Sequence, residues 1–288
     1  MSTRTSSIST TPSFVKRYQI ALFFILAYVL SWLVWGTYIA EQQGLIGFHL
    51  PESFFAYFAL TLAVIIIALA VGGRAALMDI LRRILRWRVS VKWYVLALVV
   101  PPVLCVISVL LYRAIGGSVV MGAEVSLGAA IAYFFMFGAK AWITEEAAWR
   151  GFVLPRLQTR YSALVSSLIL GVMWGVWHTP LFLMNGTGQS RWPYLGFLIF
   201  AVAESVLTTW IYNSTGESVL LATLFHAATD AALSYSGLLS GDQNAFWLTV
   251  ILHVIVAAVV VVYAGPARLV RGQTEQQAVA APPGYVVT

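Results

Sequence analysis

Eight long apolar runs restrict this chain to one class of fold. About 20 consecutive apolar residues cross the hydrocarbon core of a bilayer as an α-helix. Because that core offers no water to backbone N–H and C=O groups, a spanning segment must satisfy them internally, as a helix does. The runs cover residues 19–40, 53–73, 93–114, 126–150, 163–184, 193–213, 217–236 and 246–265. The sequence therefore predicts an all-α, polytopic membrane protein with about eight transmembrane helices.

The composition agrees with a lipid environment. Of the 288 residues, 60% are hydrophobic and 10% are charged, whereas soluble domains carry about 25% charged residues. The net charge of +6 comes from cations placed between the apolar runs. We interpret these cations as topology signals and not as a nucleic-acid-binding surface. The single cysteine, Cys105, excludes an internal disulfide and is expected to be a small core residue.

The loop charges predict the orientation. Cations are concentrated in the loops on one side: Arg4, Lys16, Arg17, Arg74, Arg82, Arg83, Arg86, Arg88, Lys92, Arg150, Arg156, Arg160, Arg268 and Arg271. The opposite loops hold Glu41, Glu52, Glu124 and Asp242, with Arg113 and Arg191. By the positive-inside rule, both termini of this multi-pass protein are cytoplasmic. The short loops are typical of a bacterial plasma membrane.

The ends of the chain and one internal segment differ from the spans. Residues 1–15 and 268–288 are predicted to be disordered tails around a transmembrane domain at 16–267. We identify no cleavable signal peptide. Residues 75–90 alternate arginines with apolar residues at helical spacing, which predicts an amphipathic interfacial helix on the cytoplasmic face. A solvated basic loop is the alternative.

Two adjacent glutamates lie near the end of the fourth run. An ionisable residue inside a span costs several kcal/mol, so it indicates a function by default. Glu146 and Arg150 have the i, i+4 spacing that favours an ion pair on one helix face, and Glu145 points elsewhere. Glu145 is thereby free to react. The alternative is a salt-bridged helix end.

Two histidines lie in later runs. His178 follows Trp174 by four residues and shares its helix face. His226 and Asp230 have the same spacing, so Asp230 can orient the imidazole or share a ligand with it. Taken alone, His178 could also be a hydrogen-bonded core histidine. Likewise, His226 and Asp230 could be a buried pair that locks two helices together. Together, carboxylates and imidazoles on three spans suit the activation of water in a buried cavity.

The estimated depths of these groups do not agree. At 1.5 Å per residue, Glu145 and His226 lie about 16 Å and about 14 Å from the basic edge, whereas His178 lies about 25 Å from it. Helix tilt is needed to bring His178 to the other two.

The three motifs resemble those of the CPBP family, which includes CAAX prenyl proteases and bacteriocin-processing or immunity (Abi) membrane proteins. The family pattern Glu-Glu-x-x-x-Arg is present from Glu145 to Arg150. The pattern Phe-x-x-x-His reads Trp174 to His178, and His-x-x-x-Asn/Asp reads His226 to Asp230. The resemblance covers about residues 125–236. We expect the Trp174 exchange to keep the packing role of the usual phenylalanine.

The resemblance implies an intramembrane endopeptidase. Glu145 would be the general base that activates water, assisted by His178. His226 and Asp230 would bind the oxygen of the tetrahedral intermediate or help to hold the water, and Glu146 and Arg150 would support the site. An ionised Asp230 does not donate a hydrogen bond as asparagine does, so its role is less defined.

The sequence leaves the cofactor open. Glu145, His178 and His226 could supply a two-histidine, one-carboxylate zinc set, but the compact His-Glu-x-x-His motif of zinc peptidases is absent. The expected partners are membrane lipid and a peptide or lipidated-protein substrate. Lys140 and Glu204 are interpreted as a structural pair across helices, and His253 lies outside every motif.

Two other functions remain open at this point. A transporter would use the buried charges as an ion path, but the sequence shows no evident inverted repeat and no matching pair of broken helices. A non-catalytic immunity or partner-binding protein would keep the fold without the reaction.

Overall fold

The computed structural model describes residues 14–119, 121–122, 125–238 and 242–271, without the side chains of 52–54. Most of both predicted tails, with Arg4 and Glu124, lies outside these residues. The first helix begins at Phe14, within the segment predicted as the first tail.

The described chain is helical, and no strand occurs in it. The helices are α1 (Phe14–Gln42), α2 (Glu52–Ile84), α3 (Val91–Ala114), α4 (Leu127–Ile143), α5 (Leu154–Gln158), α6 (Ala163–Trp177), α7 (Tyr194–Ser214), α8 (Val219–Ser236) and α9 (Gln243–Ala264). A π-helix covers Ala147–Val153, and 3₁₀ turns cover Thr179–Phe182 and Gln189–Arg191. The predicted all-α polytopic fold is confirmed.

The outer surface has the character of a lipid-facing surface. Large apolar side chains are exposed along several helices, among them Met136 at 74% and Val262 at 86%. Contiguous exposed apolar surface of this kind is rare in a water-facing monomer. Helices α1, α2, α3, α7 and α9 and the segment Leu127–Gln158 are long and apolar enough to cross a membrane. The chain is thus a multi-pass membrane protein.

The predicted interfacial helix is the second half of α2. Gly73 interrupts α2 with φ 56° and ψ −147°, a backbone conformation open almost only to glycine. After this break the helix continues to Ile84, six residues short of the predicted end at Ser90, because Ser90 is already the N-cap of α3. Arg83 forms ion pairs with Asp79, at 2.5 Å, and with Glu217, at 2.9 Å. The pair with Glu217 ties the second half of α2 to the segment before α8.

The helices that carry the candidate site pack closely on one another. Helix α6 lies against α7, and α8 packs on α3, α4 and α7. At Gly171 the contact is so close that a Cβ atom would lie 2.6 Å from the Cα of Val202. A buried aromatic cluster of Phe23, Trp149 and Trp177 fills the space between α1, the π-helix and α6.

Candidate active site

The two adjacent glutamates lie where the fourth predicted span is interrupted. Helix α4 ends at Ile143, and Thr144 leaves helical geometry with φ −110° and ψ −85°. The π-helix then begins at Ala147. Such π-helical turns are rare and occur frequently at functional sites. Glu145 is 1% exposed and Glu146 is fully buried, so the interruption places two carboxyl groups in the protein interior.

Glu146 is held by two partners. Its Oε1 accepts hydrogen bonds from Nη1 of Arg150, at 2.8 Å, and from Nδ1 of His226, at 2.9 Å. The predicted pair of Glu146 and Arg150 is therefore present. Arg150 is itself fully buried and bonds through Nη2 to the Thr208 hydroxyl of α7. This group joins the π-helix, α7 and α8, and it fixes the ring of His226.

Glu145 has a different environment. The indole N–H of Trp174 donates to its Oε2 at 3.0 Å. Its other oxygen, Oε1, accepts no hydrogen bond from the described residues. Glu145 is thus oriented by one neighbour, and one carboxylate oxygen is available to a further donor such as water.

His178 caps the end of α6. Its Nδ1 lies 2.9 Å from the carbonyl oxygen of Trp174, so Nδ1 carries the proton and donates it to that carbonyl. In the neutral imidazole, Nε2 is then the accepting nitrogen. The rings of Trp177 and Phe197 contact the His178 ring edge-on, with centroids 4.7 Å and 5.3 Å away. The imidazole is fixed in position and presents one basic nitrogen.

His226 and Asp230 lie one turn apart on α8. The distance from Nε2 of His226 to Oδ2 of Asp230 is 3.8 Å, which is too long for a direct hydrogen bond and leaves both atoms able to share a bridging water. The His226 side chain is 3% exposed and that of Asp230 is 29% exposed. Asp230 is therefore the most accessible of the candidate residues.

Trp174 brings the three motifs together. Its indole bonds to Glu145, and its ring contacts both imidazoles, with centroids 5.0 Å from His226 and 5.8 Å from His178. The estimate that placed His178 deeper than the other groups was wrong, because one side chain, Trp174, contacts His178, His226 and Glu145. Beside the packing role expected of Trp174, its indole donates a hydrogen bond to Glu145 that phenylalanine, which has no N–H, could not donate.

Further polar residues of the site were not predicted. Thr208 bonds to Arg150, and the Thr229 hydroxyl donates to Oε1 of Glu204 at 3.0 Å. The predicted pair of Glu204 with Lys140 is wrong: Nζ of Lys140 lies 3.4 Å from the ring centroid of Tyr57. A threonine on an apolar helix is a weak signal in a sequence, because it also satisfies itself on the carbonyl of the preceding turn.

The possible zinc set is not formed. In the described part of the chain, no group of three or more His, Cys, Asp and Glu side chains is arranged to hold a metal ion. His226 directs Nδ1 to Glu146, and the Nδ1 proton of His178 is bound to a backbone carbonyl. These contacts leave Nε2 of each histidine as the nitrogen that is open to a ligand, so the metal-dependent alternative stays a prediction beside the metal-free one.

The chain is similar to known proteins. Residues 127–232 match the family described as type II CAAX prenyl endopeptidase, Rce1-like. CAAX prenyl protease 2 of Methanococcus maripaludis is 25% identical over 225 residues, which cover 73% of this chain and 82% of that protein. Lysostaphin resistance protein A of Staphylococcus aureus is 22% identical over 177 residues, 62% of this chain and 41% of that protein. The matched segment contains all the candidate residues from Glu145 to Asp230.

Proposed function

We propose that this chain, which belongs to the CPBP family of CAAX-protease-like membrane endopeptidases, hydrolyses a peptide bond with a water molecule activated by Glu145. The observation that carries the proposal is the environment of Glu145. Its carboxylate is buried, is oriented through one oxygen by Trp174, and keeps the other oxygen open beside two imidazoles. A general base needs this combination of fixed position and a free lone pair.

In the first step, the open oxygen of Glu145 takes a proton from water while the water oxygen attacks the peptide carbonyl carbon. The accepting Nε2 of His178 receives the second hydrogen bond of that water and so orients it. The attack forms a tetrahedral intermediate with a negatively charged oxygen. Glu145, now protonated, then gives its proton to the leaving amine nitrogen as the C–N bond breaks.

His226 and Asp230 are assigned to the intermediate. With Nδ1 directed to Glu146, His226 turns Nε2 towards Asp230 and the more exposed part of the site. A protonated His226 donates from Nε2 to the developing oxyanion, an interaction that strengthens as charge appears there. Asp230 favours that protonated form through its own charge. Glu146 and Arg150 are positioning residues, because they act through the orientation of His226.

The family supports a proposal for the substrate class. We assign the chain a membrane-anchored peptide whose C-terminal segment carries a prenylated cysteine, as the name of the M. maripaludis relative indicates for that protein. The catalytic groups lie inside a membrane-embedded helix bundle, and a lipidated peptide is delivered to such a site by its own anchor.

The test is cleavage of a quenched fluorescent peptide that ends in a farnesylated Cys-aliphatic-aliphatic-X sequence, by full-length protein in detergent. Glu145→Gln removes the base without changing its shape, and we expect kcat to fall by about 10²–10⁴. Glu41→Gln is the matched control, because Glu41 lies in the last turn of α1 and pairs there with the exposed His49. Cleavage by the Glu145→Gln protein at the normal rate would end the proposal, provided that both variants unfold at the wild-type temperature.

One comparison favours a second candidate. The similarity to a lysostaphin resistance protein is compatible with a non-catalytic, partner-binding role. A resistance phenotype that survives Glu145→Gln, together with no cleavage by the wild-type chain, would support this role over the peptidase.

A further inference from the structure

A pocket of about 760 Å³ opens at the basic edge of the molecule, away from the candidate active site. It lies between the start of α1, the second half of α2, α5 and α6. None of the residues in the three motifs lines it.

One end of the pocket is strongly cationic. Arg17, Arg83, Arg156 and Arg160 line it, and Asp79 is its one acidic lining residue. Asp79 is already paired with Arg83. Among the described residues, no carboxylate forms an ion pair with Arg17, Arg156 or Arg160. The lining therefore keeps an uncompensated positive charge.

Arg156 is fixed in this cationic end. Its Nε donates to Oε1 of Gln19 and its Nη1 to the carbonyl oxygen of Phe152, both at 2.8 Å. Its guanidinium lies 3.8 Å from the ring centroid of Phe152. These neutral partners hold the side chain without neutralising it, which pre-organises a cation for an anionic ligand.

The other end of the pocket is apolar. It is lined by Phe24 and Ile25 of α1 and by Ile169 and Met173 of α6. Ile25 follows Gln19, the residue that bonds to Arg156, by six residues, which is about 9 Å along the helix axis. The pocket thus runs from the charged edge towards the level of the hydrocarbon core. Its lining changes from cationic to apolar in that direction, as a phospholipid changes from an anionic headgroup to apolar acyl chains.

We propose that this pocket binds an anionic phospholipid, with the phosphate headgroup at Arg17, Arg156 and Arg160 and an acyl chain against Ile25, Ile169 and Met173. Charge complementarity selects the lipid, since basic pockets between membrane helices bind anionic headgroups. The thirteen residues before Phe14 contain Arg4 and no acidic residue, so they do not supply the missing negative charge. The proposal is independent of the peptidase reaction.

The experiment is a native mass-spectrometry titration of the full-length protein in detergent. The probes are phosphatidylglycerol and phosphatidylcholine with identical acyl chains, and inorganic phosphate serves as a competitor. We expect one tightly bound phosphatidylglycerol and at least tenfold weaker binding of phosphatidylcholine. The R17Q/R160Q variant should weaken phosphatidylglycerol binding by about 30-fold, since each arginine near an anionic headgroup contributes a factor of about five.

The matched control is R82Q/R88Q. It removes the same charge from exposed arginines on the same side, which do not line the pocket, and its affinity should stay within about twofold of wild type. Equal binding of the two lipids, or equal weakening by the two double variants, would overturn the proposal. Displacement of the lipid by millimolar phosphate would assign the pocket to a free anion instead. Thermal unfolding of each variant separates loss of the site from loss of the fold.

Discussion

At the scale of single residues, Trp174 has more functions than its motif indicates. The sequence predicts an aromatic packing residue, and the structure adds a hydrogen bond from its indole N–H to Glu145. The same ring is the common neighbour of His178 and His226. The identities of the candidate residues were predictable because ionisable groups are rare in apolar helices. Their hydrogen-bond partners were not, because these depend on how each helix is rotated.

Replacement of Trp174 by phenylalanine tests this bond. Trp174→Phe keeps an aromatic ring and removes the N–H donor, so Glu145 loses the contact that orients it. A hydrogen bond to a charged group contributes about 1.5–3 kcal/mol, and we expect kcat for the farnesylated peptide to fall about 10- to 100-fold. Trp87→Phe, at a side chain 60% exposed, is the control. An unchanged kcat would show that the indole serves only for packing.

The role of Asp230 can be tested by replacing it with asparagine, the other residue of the family pattern at this position. Asparagine keeps the size and polarity of the side chain but has no negative charge to favour the protonated form of His226. We therefore expect Asp230→Asn and Asp230→Ala to lower kcat alike, by about 10- to 100-fold, which is part of the 10²–10³ that the loss of an oxyanion donor costs. Activity of Asp230→Asn within about threefold of wild type would instead assign Asp230 a hydrogen-bonding role that needs no charge. The measurement is kcat at saturating peptide.

At the scale of helices, the sequence predicts where apolar segments run but not how they are interrupted. The fourth run was predicted as one span at 126–150, and the chain there forms α4, a π-helix and α5. Thr144, where α4 breaks, is neither proline nor glycine, so the local sequence contains no strong breaking signal. Tertiary contacts of Glu146 and Arg150 stabilise the interruption, and such contacts are not visible in a single sequence.

Removing one member of the buried pair of Glu146 and Arg150 should lower the stability of the protein. Arg150→Met leaves a buried carboxylate with only His226 as a partner, and we expect the free energy of unfolding to fall by about 3–5 kcal/mol. The double variant E146Q/R150M removes the charge as well and should recover part of that loss. Denaturant titration in mixed micelles measures both. A double variant that is less stable than Arg150→Met would contradict the pairing.

The close contact between α6 and α7 gives a second test at this scale. A Cβ at Gly171 would lie 2.6 Å from the Cα of Val202, so Gly171→Ala should push α6 away from α7 and move Trp174 and His178. We expect a lower unfolding temperature together with a reduced kcat. Gly36→Ala is the matched control, since a Cβ atom at Gly36 would have no neighbour within 4 Å. Wild-type behaviour of Gly171→Ala would show that α6 is not fixed by this contact.

At the scale of the whole molecule, the sequence was most informative about the order of the helices. Each of the eight predicted runs coincides with a helical segment, and six of the described segments are long and apolar enough to cross a bilayer. The convergence of the polar candidate residues on one site could be expected from their placement on three spans and from the resemblance, but the contacts between them could not. The structure also brings the basic loops to one edge, where Arg83 meets Glu217 and Asn213 bonds to the backbone of Arg268.

This arrangement sharpens the orientation prediction. With an even number of crossings both termini would lie on one side, and we expect the clustered arginines to place that side in the cytoplasm. Introduced single cysteines test it, because the native Cys105 is 2% exposed and we expect it not to react with a membrane-impermeant maleimide. In intact bacterial cells that produce the protein, Leu45→Cys, at a loop position 71% exposed, should be labelled. Arg268→Cys should be labelled only after the membrane is permeabilised, since it lies at the basic edge. The reverse pattern would place the arginines outside and contradict the topology.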